Sequence, residues 1–177
     1  IELISAVAKE LRKLKDNDIE VYIIPGSHDF SPSGKTMLDV LEKAGFCKNA
    51  SIFEEKNGHL MLLPTIHKSV AIYGYPGKKS GLEVEEIKRL KLQDSPGMFK
   101  ILMLHTTIRG AIGNIPVKAV DEKLLPLVDY LALGHLHILY NKDRRVYSGP
   151  LFPNNLSELE ELRGGTFYFF NDGNIKK

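Results

Sequence analysis

Among its 177 residues the chain has a single cysteine, Cys47. One thiol can form neither an internal disulfide nor a cysteine-rich zinc site, so any metal must be held by His, Asp, Glu, Asn or water. Long hydrophobic runs are also missing: no stretch approaches the roughly 18 to 20 apolar residues of a membrane-spanning helix. No basic start leads into an apolar segment as in a signal peptide, and a soluble, cytoplasmic protein without a membrane partner is expected. An excess of either charge is lacking too. The 24 basic and 22 acidic side chains leave a formal charge of +2, so electrostatics neither demands nor excludes a nucleic-acid partner. Internal repeats, low-complexity tracts and linkers are absent. With 43% hydrophobic residues, one domain is the expected count.

What is present starts with Ile4, Val7, Leu11 and Leu14, the spacing of an amphipathic helix over 1–15. No cap precedes this helix and the first residue is Ile1, so a segment upstream is expected. After a turn at Asp16-Asn17-Asp18, residues 20–24 read as a buried strand ending at Pro25-Gly26. Ser33 and Thr36 open a second helix over 37–44, which Gly45 closes. Residues 51–55, 59–64 and 69–73 read as an antiparallel meander, with Asn57-Gly58 as a two-residue hairpin turn. Residues 82–92 read as a charged outer helix with apolar positions at Val84, Ile87 and Leu90. The apolar runs 99–104 and 130–133 have the pattern of central strands covered on both faces. Residues 138–140 and 145–147 form a hairpin pattern, and 166–170 with Asn171-Asp-Gly173 begin another. Asn154-Asn155 and the Ser157 to Glu160 capping-box pattern start a short helix. The class is α/β with mixed sheets.

Three apolar strands run into histidine: one into Gly26-Ser27-His28-Asp29, one into His105, one into Gly134-His135-Leu136-His137. In an open α/β sheet, ligands bind beyond the carboxyl ends of the strands, so these four histidines are expected to converge. Neutral imidazole is the commonest metal ligand. Singly, each motif has a bland reading. His135 and His137 share a strand face at period two and could simply be hydrogen-bonded, and His105 after four apolar residues suits a satisfied core histidine. Their conjunction, with Gly26 and Gly134 letting backbone approach a ligand, favours a mononuclear or dinuclear metal centre. His59 and His67 read as surface histidines. Ser33-Gly34-Lys35-Thr36 lacks the first glycine of a phosphate loop, because position 29 is Asp.

Gly26-Ser27-His28-Asp29, Leu104-His105-Thr106 and Gly134-His135-Leu136-His137 resemble, in order and spacing, the last three motifs of the calcineurin-like metallophosphoesterases. Ile24 to Ser31, Tyr130 to His135 and Tyr147-Ser148-Gly149-Pro150 are most similar to SbcD-type nuclease subunits of DNA double-strand-break repair. The resemblance implies a four-layer sandwich of two mixed β-sheets flanked by helices, and a DNA exonuclease or endonuclease using two divalent metal ions, Mn2+ foremost. By it, His105 and His135 would bind one metal and His137 the other. Ser27 would stand, as a weak ligand, where the family has Asn. His28, held by Asp29, would stabilise or protonate the leaving oxygen. Arg109, close after His105, is a candidate contact to a DNA phosphate. The implied partners are DNA, an SMC-like ABC-type ATPase and a second copy in a homodimer.

The family's opening Asp-x-His and Gly-Asp-x-x-Asp motifs occur nowhere in the sequence. Residues 1–177 are therefore expected to be an N-terminally incomplete nuclease core lacking its first strand-helix-strand portion, and by itself to bind metal poorly or not at all. Two other functions compete: a phosphoesterase acting on nucleotides or phosphoproteins, and a degenerate, non-catalytic scaffold. Ser27 favours the scaffold. The retained histidines disfavour it, because clustered imidazoles must be desolvated without benefit to a scaffold.

Overall fold

The computed structural model describes residues 2–31, 34–171 and 174–176. The first half runs α1 (Glu2–Asp16), β1 (Tyr22–Ile23), α2 (Met37–Lys43), β2 (Lys48–Asn49), β3 (Phe53–Lys56), β4 (His59–Leu62), β5 (Thr65–His67), β6 (Val70–Tyr75) and α3 (Glu83–Ile87). The second runs β7 (Leu90–Leu92), β8 (Phe99–His105), α4 (Arg109–Ile112), β9 (Tyr130–Gly134), β10 (Leu139–Lys142), β11 (Arg145–Ser148), α5 (Leu156–Leu162), β12 (Phe169–Asn171) and β13 (Asn174–Lys176). The main sheet has the order β10-β11-β9-β8-β6-β5. Its four inner strands are parallel, and the edges β5 and β10 are added by antiparallel hairpins. Smaller sheets are formed by β3-β4-β7, β1-β2 and β12-β13. This mixed α/β arrangement is the expected class and is consistent with a metallophosphoesterase fold.

Strand register lines up the core. Tyr73, Leu102 and Leu131 form one cross-strand row, and Tyr75, Leu104 and Leu133 the next. Both rows are buried against Leu60 and Leu62 of β4, Val84 and Ile87 of α3, and Leu90 of β7. Each such side chain withdrawn from water stabilises by about 1.5 to 3 kcal/mol. The opposite face of β8 and β9 is covered only in part. Met103 and Ala132 there line a cleft of about 400 Å³ shared with Tyr22–Ile24, Phe167 and Tyr168. The expectation that these strands are covered on both faces is corrected: coverage is complete on one.

Other expectations hold or fail for identifiable reasons. Thr36 caps α2 in a reciprocal box with Asp39, and Gly45 follows it in a left-handed conformation (φ 72°). Asn57 (φ 51°) and Gly58 (φ 74°) make the β3–β4 turn, both with the positive φ that a type I′ hairpin needs. The meander, however, is two hairpins in two sheets. Pro64 has no N–H with which to extend the ladder, so β4 stops at Leu62 and the chain passes to β5 and β6 in the main sheet. The single outer helix over 82–92 is likewise corrected. Helix α3 ends at Ile87, with Glu83, Val84 and Ile87 buried, and Leu90–Leu92 pairs with Leu60–Leu62 as a parallel strand. In three residues, alternation and a waiting partner strand outweigh helical spacing.

The opening helix is observed, but Ile4, Val7 and Leu14 on its apolar face are exposed. It meets the rest of the fold where Arg12 and Lys15 lie over the ring of Phe46. Helix α5 is capped two residues earlier than the Ser157 to Glu160 box implies: Asn155 is the cap, accepting from Glu158 N–H. Ile1, Ser33 and the expected turn positions Asp172-Gly173 lie outside the described residues, and β12 pairs antiparallel with β13. Among the described residues no helix is long and apolar enough to cross a membrane.

Candidate functional site

Because β6, β8 and β9 are parallel, their carboxyl ends meet at one edge of the main sheet. His105 closes β8 directly opposite Gly134 of β9, and His135 is the next residue. Tyr75 of β6 lies opposite Leu104, so Pro76-Gly77 leaves the sheet beside His105. There the Nδ1 of His135 is 3.3 Å from the Nε2 of His105, with ring centroids 5.1 Å apart and planes inclined by 71°. Ser27, on the turn after β1 and buried, places its Oγ 3.5 Å from the same His105 nitrogen.

Glycines make this approach possible. A Cβ on Gly26 would stand 2.9 Å from Cε1 of His105, one on Gly134 3.1 Å from Nδ1, and one on Gly77 2.5 Å from Cδ2 and 2.7 Å from the Ser27 nitrogen. The space that Gly26 and Gly134 were expected to open for a ligand is thus filled by the His105 imidazole itself. Gly77 has no counterpart in the sequence reading, since Pro76-Gly77 is indistinguishable there from an ordinary turn. His135 adds backbone strain, with φ at 97°, a region a side-chain-bearing residue occupies at a cost of about 1 to 3 kcal/mol.

Burial, and then the neighbouring His135, lowers the pKa of His105 from 6.5 to about 4. His28 and His137 act in the same direction and Asp29 opposes them, so all four expected neighbours lie within electrostatic reach. The result is a neutral imidazole with a lone pair to offer near pH 7. His28 itself is exposed. The carboxylate of Asp29 accepts from Gly26 N–H at 2.6 Å; among the described residues no hydrogen bond between it and His28 accompanies this one. His137 is exposed, and its Nδ1 lies 2.9 Å from the Oε1 of Glu158. This partner was missed because Glu158 lies 21 positions beyond His137, and the cap pattern there was read on Ser157 and Glu160. Arg109 directs its guanidinium to the carbonyls of Gly113, Ile115 and Val117 at 3.0 to 3.4 Å. It fastens a loop, and the structure lends its expected phosphate contact no support. His59 is exposed, and His67 packs edge-on against Tyr22, both outside the site.

The His105–His135 pair fits a divalent cation: two imidazole nitrogens 3.3 Å apart are closer than the sum of two bonds of about 2.0 to 2.1 Å each. Among the described residues no group of three or more His, Cys, Asp or Glu is placed to hold one, so the pair by itself offers two candidate donors. No family model matches the chain. It is similar to an uncharacterized metallophosphoesterase of Bacillus subtilis (strain 168), YhaO, with 30% identity over 132 residues, which is 73% of this chain. The matched region spans 31% of that relative's length. The likeness supports the metallophosphoesterase superfamily as the family of this chain.

Proposed function

We propose that the chain is the histidine-bearing part of a metal-dependent phosphodiesterase that cleaves DNA in double-strand-break repair. The observation carrying this reading is the 3.3 Å approach of His105 Nε2 and His135 Nδ1 at the ends of adjacent parallel strands, with His105 kept neutral by burial. His105 and His135 would hold one divalent ion, with the Ser27 hydroxyl beside them, and His137 would serve a second. Bound cations of this kind, Mn2+ foremost, supply Lewis acidity toward a phosphoester and activate water. The exposed His28 is available to offer charge and a proton to a leaving oxygen. The DNA substrate, an SMC-like ABC-type ATPase partner and a homodimer rest on the motif contexts around Ser27, His135 and Ser148.

The test uses a form of the protein that carries the aspartate motifs, supplied with manganese and offered double-stranded DNA, a mononucleotide and a phosphopeptide in parallel. Cleavage of DNA, abolished by His135→Ala, is the expected result. Hydrolysis of the mononucleotide or phosphopeptide with DNA left intact would replace the nuclease by a phosphatase. Absence of manganese binding would favour the scaffold.

A further inference from the structure

Glu158 is surrounded by donors. Its Oε2 accepts from Asn154 N–H at 2.8 Å, and its Oε1 accepts from the Asn155 side-chain amide at 3.0 Å and stands 2.9 Å from His137 Nδ1. In an ordinary capping box the third helical residue reaches back to the N–H of the cap residue itself. Here the carboxylate bypasses that group and turns to the residue before it and to a histidine 21 positions away in the chain. The carboxylate is 18% exposed against 42% for the imidazole, so it is the sheltered member of the pair.

We propose that Glu158 is a positioning residue that accepts the Nδ1 proton of His137 and thereby leaves the Nε2 lone pair of that ring for a divalent cation. An ionised carboxylate can only accept, so the 2.9 Å contact makes Nδ1 the protonated nitrogen. The Asn154 side-chain amide lies 3.4 Å from the same Nδ1 through its nitrogen, and a protonated Nδ1 requires that amide to turn and present its oxygen. Carboxylates that hold a ligand imidazole in this way fix both its tautomer and its direction. The inference rests on His137 serving as a ligand, as proposed above.

The protein labelled with 15N-histidine and stripped of metal gives the first readout, from its imidazole nitrogen shifts. His137 is expected as the Nδ1–H tautomer in the unaltered chain and as the Nε2–H form, which free histidine prefers, in Glu158→Ala. Asn155→Ala removes the helix cap and one donor to Oε1 but keeps the carboxylate and its bond from Asn154 N–H, so it should retain Nδ1–H; this separates the carboxylate's role from helix capping. An Nε2–H ring in the unaltered chain overturns the proposal even if every variant fails to fold, and so does an Nδ1–H ring that persists in Glu158→Ala. Manganese titration of a form carrying the aspartate motifs gives the second readout. Affinity should fall about 10 to 100-fold in Glu158→Ala, and an unchanged affinity refutes the role. If the unaltered protein binds no manganese, the ligand reading of His137 fails, while the tautomer result still decides whether Glu158 orients the ring.

Discussion

A single side chain under strain is the most informative feature at the residue scale. His135 holds φ at 97°, a conformation that glycine adopts freely and other residues do not. His135→Gly and His135→Ala remove the same imidazole, yet the glycine variant should be the more stable by about 1 kcal/mol, because it alone relieves strain of about 1 to 3 kcal/mol. Chemical denaturation of the two variants checks this; equal stabilities would mean that the backbone is at ease. His105 makes a second prediction. Its folded-state pKa of about 4 lies below the ordinary 6.5, so as pH falls the unfolded chain takes up the proton first. The stability that the neutral ring contributes is complete above 6.5 and is lost as the pH falls towards 4. Thermal unfolding of the metal-free chain across this window should show a steeper acid loss than His105→Gln. Parallel profiles would show that the ring is well solvated.

At the scale of elements, the segment leaving β8 is held by one buried tyrosine. The Tyr147 hydroxyl on β11 donates to the Thr106 carbonyl at 2.7 Å and accepts from Ile108 N–H at 3.0 Å, one and three residues beyond His105. Tyr147→Phe keeps the ring and leaves both buried backbone groups unpaired, a loss of about 1 to 3 kcal/mol. Urea unfolding should show that loss, with backbone amide shifts confined to 105–108; an unperturbed stability would show that water replaces the hydroxyl. This fastening was not legible in the sequence, where Tyr147 is one apolar residue of a hairpin strand. The strands themselves were legible wherever they were long and apolar, as β8 and β9 are. The segment 82–92 was not, because Leu90 continues the helical spacing of Val84 and Ile87 while also alternating with Leu92 as in a strand, and only the position of Leu60–Leu62 resolves it.

The whole molecule assembles its site from stretches far apart in the chain: 26–29, Gly77, His105, 134–137 and Glu158. Such a site exists only in the folded state, so a cation bound there must stabilise the fold by mass action, by about 2.7 kcal/mol at a concentration one hundred times its dissociation constant. In a form of the protein carrying the aspartate motifs, manganese should raise the thermal midpoint. The rise should persist in His28→Ala and vanish in His105→Ala. Scanning calorimetry with and without manganese reads this directly, and a rise that survives His105→Ala would place the cation elsewhere.

The sequence by itself determined the chemistry on offer. One cysteine excluded thiolate centres, apolar runs ending in histidine marked a candidate edge, and the motif order pointed to phosphoester hydrolysis, because residue type and strand-end position are local properties of the chain. Tertiary structure alone decided which groups touch. The parallel register of β8 on β9 set His105 opposite Gly134 and His135 against it. Packing made Gly77 part of the cradle of His105, occupied Arg109 with loop carbonyls and brought Glu158 to His137. Contacts between residues separated by 20 to 80 positions depend on how layers and loops close over one another, and no local spacing encodes that closure.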